Sequence, residues 1–212
     1  MKITSIVKQK REGRYNIFLD NEFAFGLLKE TIYKFGLRLN DNIDQKQINE
    51  ILEFDEFLKA QKFVYKLLSH YSYTVNEIIQ KLRKKKIKPT TIDKVVNNII
   101  EQGLVNDNEY VKLYIESKKL TKPIGKKLLK LKLKNKGIDQ EIIDSQLEQL
   151  YSSKEEKAAA EKVLARYIKT LKEKDLKKRK EKCFRHLISK GFDFDLIEDI
   201  LRDKFDTDFN NI

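Results

Sequence analysis

Few of the side chains that do chemistry stand where they would act together. The chain has two histidines, His70 and His186, 116 positions apart, and one cysteine, Cys183. That is too few ligands, too widely spread, for a zinc site of ordinary count. Each histidine reads as a partly buried or surface side chain. Cys183 falls on an apolar helical stripe and reads as a packed thiol before a nucleophile. With no second cysteine it makes no internal disulfide, which fits a reducing compartment. Asp107 and Glu109 form a close carboxylate pair, but just after Asn106 they are explained by the capping of a helix start. There is no Gly-rich phosphate loop and no nucleophile elbow. The expectation is a protein that is not an enzyme and needs no cofactor or metal.

What the sequence offers instead is positive charge. Its 212 residues include 45 Lys+Arg against 33 Asp+Glu, a net +12. Such a balance favours a polyanionic partner, nucleic acid first. A lysine-rich solvated face is the plainer reading of any one cluster, but the cations recur at one place in a repeating pattern. Arg83, Lys84, Lys85, Lys86 and Lys88 gather at one helix end. Lys126, Lys127, Lys130 and Lys134 fall within about 100° of arc on another helix. Lys177, Lys178, Arg179, Lys180, Lys182 and Arg185 occupy a third. Residues 57–106 alone carry +7, the most basic part of the chain. Tyr71 and Tyr73 precede the first cluster, where they either stack on bases or pack at a helix start.

The elements that position these clusters follow from apolar spacing. Residues 3–9 and 15–20 are β-branched and aromatic runs around a polar segment, a hairpin turning near Glu12 and Gly13. A third short strand, Phe23 to Phe25, and a helix over about 27–34 stopped by Gly36 follow. A further helix begins near Asp44 and packs on this small sheet. From Phe57 the period is helical: Phe57, Leu58, Val64, Tyr65 and Leu68 share one face. Thr74 and Glu77 have capping-box spacing, Pro89 suits the first turn of the next helix, and Gly103 its end. The same sequence of signals returns at Asn106, Gly125, Gly137 and Asp139, and again at Ser152, Gly191 and Asp193.

The repetition survives counting. Leu82, Leu133 and Leu187 each lie five residues before Ile87, Ile138 and Phe192, which in turn lie five before Ile92, Ile143 and Ile197, so the period is 51 and then 54 residues. The fold class expected is mainly α: three tandem three-helix repeats in an elongated array, preceded by a small N-terminal β-hairpin and helix. The expected divisions are 1–56, 57–105, 106–151, 152–205 and an acidic tail at 206–212. In such an array the second helix of every repeat is the basic one, giving a positive ridge suited to phosphates or an acidic groove. The sequence has no signal-peptide core and nothing near ~18 consecutive apolar residues, so a cytoplasmic, membrane-free protein is expected.

The run Gly103-Leu104, Asp107, Tyr110-Val111, Tyr114-Ile115, Gly125, Leu133 and Lys136-Gly137-Ile138 resembles the RecX regulatory proteins. Their central signature is a Gly-Leu, an acidic turn, an aromatic-aliphatic helix, a Gly, and a Leu-x-x-Lys-Gly-Ile ending. The resemblance extends over residues 57–203. This chain departs from it in three places: Tyr71-Ser72-Tyr73-Thr74 stands for an arginine-rich segment, Lys118 for an arginine, and Lys86-Ile87 lacks the glycine. The resemblance implies a monomeric, non-enzymatic modulator of RecA that lodges in the groove of the RecA filament on DNA. It implies inhibition of the filament's ATPase, strand exchange and coprotease activities, with weaker, salt-dependent binding to single- and double-stranded DNA. The residues expected to carry filament or DNA contact are those of the three basic clusters apart from Lys180, with Lys118. Sequence-independent coating of DNA through the same ridge is the other reading.

Overall fold

The computed structural model describes residues 1–206, and the expected tail lies outside the described residues apart from Asp206 at the end of the last helix. The described chain forms two compact units. One comprises Met1–Ser72 with Ile78–Leu104. The other comprises Tyr73–Glu77 with the chain from Val105 onward.

In the first unit, β1 (Ile3–Lys8), β2 (Arg14–Leu19) and β3 (Glu22–Leu28) form an antiparallel sheet in the order β1-β2-β3. Asp20 and Asn21, at φ +48° and +70°, make the two-residue turn between β2 and β3, where Leu19 pairs with Glu22. The third strand therefore runs longer than the Phe23–Phe25 core of its pattern. Ile3, Ile17, Leu27 and Ile51 are fully buried beneath the sheet. Helix α1 (Lys29–Phe35) ends at left-handed Gly36. Helix α2 runs Gln45–Leu68 behind a capping box of Asp44 and Gln47. It passes uninterrupted through the expected 56/57 division, with no Gly or Pro between its ends. Helix α4 (Pro89–Glu101) starts with Pro89 in its first turn and packs on α2.

Helix α3 (Val75–Lys84) opens with the expected Thr74–Glu77 capping box: Glu77 N–H donates to Thr74 Oγ1 at 3.2 Å and Thr74 N–H to Glu77 Oε2 at 3.1 Å. Its first turn is counted with the second unit. That unit holds α5 (Asp107–Leu120), α6 (Lys126–Lys134), α7 (Gln140–Leu150), α8 (Ser153–Thr170), α9 (Leu176–Ser189) and α10 (Phe194–Asp206). Val111, Ile115, Leu133, Ile143, Ala160, Leu187 and Ile197 form its core.

The repeat visible in the sequence closes each second helix with one and the same turn. Ile87 N–H donates to Leu82 O at 3.3 Å, Ile138 N–H to Leu133 O at 3.4 Å, and Phe192 N–H to Leu187 O at 3.3 Å. The residue before each is left-handed: Lys86 at φ +59°, Gly137 at +75° and Gly191 at +80°. This is a Schellman closure, with the 6→1 bond joining the two apolar residues of the five-residue spacing. Leu82, Leu133 and Leu187 are wholly buried. The spacing thus records a turn, and the turn explains the spacing.

Candidate nucleic-acid interface

The basic side chains sort by whether a carboxylate already holds them. At the end of α3, Arg83, Lys84, Lys85, Lys86 and Lys88 are all exposed. None of the five is in an ion pair among the described residues; Lys85 lies 5.3 Å over the Phe63 ring. Lys86 occupies the left-handed position that the other two repeats give to glycine. An L-residue there costs roughly 1–2 kcal/mol.

Along α6 the circumstances differ. Lys127 Nζ is 2.6 Å from Asp193 and Lys130 Nζ is 2.6 Å from Asp144, while Lys126 lies 3.9 Å from Glu156. Asp193 raises the Lys127 ammonium above its ordinary value by hydrogen bonding and proximity. Lys127 in turn holds Asp193 below the usual carboxylate range, as Lys130 and Gln140 do for Asp144. Lys134 alone of this stripe is exposed without an ion pair among the described residues. On α9, Lys182 bonds Glu173 at 2.7 Å and Arg185 pairs with Glu181 one turn back. Lys177 and Lys178 are exposed, and Arg179 is half-buried with its Nε enclosed and unbonded. Lys118 is half-buried with its ammonium 5.0 Å over the Tyr114 ring. The structure thus brings the expected cations to the expected helices but leaves the α3 end as the group with the fewest internal partners.

Cys183 and His186 are taken up by packing, while His70 is exposed. The Cys183 thiol is fully buried, and burial pushes it up. His186 stacks on Tyr167, with ring centroids 3.9 Å apart, and burial lowers its protonation range. Among the described residues no group of three or more His, Cys, Asp or Glu is placed to hold a metal ion. No helix among them is long and apolar enough to cross a membrane.

The acidic turn and the Lys-Gly-Ile ending build a joint. Asp107 Oδ1 accepts the N–H of Val75, the first residue of α3, at 3.0 Å. The Lys136 carbonyl accepts from Thr74 Oγ1 at 2.9 Å and Asn76 Nδ2 at 3.3 Å, and Lys136 Nζ pairs with Glu77 at 2.8 Å. A Cβ on Gly137 would fall 2.1 Å from Asn76 Nδ2, so the glycine is required by contact as well as by its φ. The third repeat repeats the joint. Glu156 Oε1 accepts the N–H of Lys126, the first residue of α6, at 2.7 Å, and Gly125 N–H donates to Lys190 O at 2.9 Å. A Cβ on Gly125 would meet Gly191 O at 2.2 Å. In the first unit Asp55 plays the same part toward α1, accepting Leu28 N–H and Thr31 Oγ1 at 2.7 Å each. Burial raises the Asp107 carboxyl against the pull of the Val75 N–H. Sequence reading gave Asp107 a capping role on its own helix and missed Asp55 and Glu156. The available signal was that Asp55 and Asp107 lie 52 residues apart, close to the repeat period.

These joints and turns have counterparts in known proteins. Residues 1–44 match the model of the regulatory protein RecX N-terminal domain, residues 106–147 that of its second three-helix domain, and residues 155–201 that of its third. The regulatory protein RecX of Leuconostoc mesenteroides is 36% identical over 93% of this chain and 73% of its own length. That of Clostridium perfringens is 33% identical over 95% of both. A crystal structure of regulatory protein RecX superposes with a TM-score of 0.71 at 28% identity, covering 95% of this chain and 98% of that one. The RecX crystal structure from Lactobacillus salivarius gives 0.62 at 30% identity over 72% of this chain. The helical repeats, their shared closing turn and matches along nearly the whole length agree: the chain belongs to the RecX family of regulatory proteins.

Proposed function

We propose that this chain binds the RecA nucleoprotein filament and inhibits its ATPase, strand exchange and coprotease activities. It would thereby modulate homologous recombination, DNA repair and the SOS response, acting as a cytoplasmic monomer without chemistry of its own. Family membership over nearly the whole chain is the observation that carries this reading. The exposed, internally unpaired cations Arg83–Lys86 and Lys88 supply a physical means, since a filament on DNA presents phosphates that such cations neutralise with release of counterions. Lys134, Lys177, Lys178 and Lys118 are secondary contacts in this proposal. Lys126, Lys127, Lys130, Lys182 and Arg185 would have to trade a carboxylate for a phosphate.

The same exposed cluster favours a second reading, sequence-independent DNA coating. The discriminating experiment is ATP hydrolysis by preformed RecA filaments on single-stranded DNA, titrated with this protein at ~0.15 M salt beside a DNA-binding curve. Inhibition well below one copy per recombinase, where free DNA is barely bound, is the expected result. Inhibition that only tracks coverage of the DNA would replace filament recognition by coating.

A further inference from the structure

In the first unit, two helix stripes face one another across an open groove. Glu50, Glu53, Phe54 and Phe57 line it from α2, and Lys94, Asn97, Asn98 and Glu101 from α4. Both sets step by three, one and three, so each is a single face about two turns long. Phe35 from the end of α1 joins the floor, its ring edge-on to Phe54 at 5.5 Å. The walls are held in place: Thr91 Oγ1 donates to Glu56 at 2.6 Å, and Gln61 Nε2 to Asn98 at 2.7 Å.

The charge on this groove is opposite to that of the protein. Glu50, Glu53 and Glu101 are exposed and have no cation partner among the described residues, and Lys94 is the one cation lining the groove. In a chain of net +12, three unpaired carboxylates around three half-buried phenylalanine rings stand out as a separate surface. Phosphate is repelled there, so the groove faces something other than nucleic acid. An apolar floor with acidic rims matches a helix that carries apolar side chains on one face and Lys or Arg beside them.

We infer that the groove between α2 and α4 docks a cationic amphipathic helix of a partner protein, through Phe54 and Phe57 beneath it and Glu50, Glu53 and Glu101 beside it. This goes beyond the reading of the basic clusters and stands without it.

The test uses the full chain and a fluorescein-labelled Lys/Leu amphipathic peptide of about 14 residues, with its Glu/Leu counterpart as control, at ~0.15 M salt. Fluorescence anisotropy should report binding of the Lys/Leu peptide alone. The triple variant Glu50→Lys/Glu53→Lys/Glu101→Lys should weaken it at least tenfold, and Glu50→Gln/Glu53→Gln/Glu101→Gln should weaken it to a lesser extent. All three positions are exposed, and unchanged circular dichroism would verify folding. No binding, or binding unchanged in both variants, overturns the inference. Sedimentation run in parallel detects the other occupant: self-association of the wild type that the variants abolish would assign the groove to a second copy of this chain and overturn the partner proposed.

Discussion

The end of α3 and the length of α6 carry much the same sequence signature, a lysine-dense second helix, in different circumstances. On α6, Lys127 and Lys130 are each 2.6 Å from a carboxylate of the same unit. At the α3 end, Arg83, Lys84, Lys86 and Lys88 have no such partner among the described residues. The turns that close the two helices differ in the same direction. α6 closes on Gly137, pressed against Asn76, while α3 closes on Lys86, exposed in a conformation that costs it free energy. A repeat that spends its lysines on internal carboxylates is building a joint. A helix end whose cations Arg83, Lys84, Lys86 and Lys88 meet no carboxylate among the described residues, and which holds a strained lysine where glycine fits better, is an exposed basic surface. Lysine density alone does not tell these apart; the position of the nearest carboxylate does.

Arg83→Gln/Lys84→Gln/Lys86→Gln/Lys88→Gln should lower the slope of log affinity for single-stranded DNA against log salt by roughly 3, at about 0.7 per lost phosphate contact. Its melting temperature should stay close to the wild type, because the four side chains are exposed. A salt titration by anisotropy measures the first and calorimetry the second.

Exchanging the closing residues should move stability in opposite directions. Gly137→Ala places a Cβ 2.1 Å from Asn76 Nδ2 at φ +75° and should cost about 2–4 kcal/mol in urea unfolding. Lys86→Gly relieves a left-handed lysine and should add about 1 kcal/mol while weakening DNA binding. A stabilised Lys86→Gly with undiminished DNA affinity would remove Lys86 from the contact.

Lys127→Gln/Lys130→Gln should leave DNA affinity within about twofold and lower the melting temperature slightly. High salt, which screens such exposed pairs in the wild type too, should shrink that difference. The smallest effect concerns acid. Asp144 and Asp193 are held below the ordinary carboxylate value, so their contribution is present above that value and fades as pH falls through the lowered ones. Lys127→Gln/Lys130→Gln should therefore flatten the acid limb of stability against pH, and the α3-end variant should not. Asp107 works with the other sign: raised by burial, it loses stability as pH rises through its window, and Asp107→Asn should remove that part.

Much of this fold was legible because local rules govern it. The capping pairs Thr74–Glu77 and Ser152–Glu155, Pro89 in its first turn, and glycine at 36, 137 and 191 all stand where their spacing puts them. The five-residue Leu-to-Ile spacing encodes one hydrogen bond, from Ile138 N–H to Leu133 O in the second repeat. Less legible were relations between distant residues. Nothing local pairs Lys127 with Asp193, 66 positions on, or makes Glu156 receive the first amide of α6. For that reason the α6 stripe and the α3 end looked alike in sequence. The continuity of α2 is hidden for a different reason: the helical period reads as starting at Phe57, whereas the helix already runs from Gln45 and buries Ile48 and Ile51 ahead of Ala60 and Val64. The absence of glycine before Ile87 was visible, but its meaning needed the left-handed φ of Lys86 beside those of Gly137 and Gly191.

The most direct test of the α3 end as the contact surface is one salt series on one DNA. Affinity for labelled single-stranded DNA would be measured from ~0.05 to ~0.2 M salt for the wild type, the four-residue α3-end variant and Lys127→Gln/Lys130→Gln. Contact through the α3 end requires a slope reduced by roughly 3 for the α3-end variant alone, with the α6 variant following the wild-type line. Equal loss of slope in both variants, or a loss confined to the α6 variant, would contradict it.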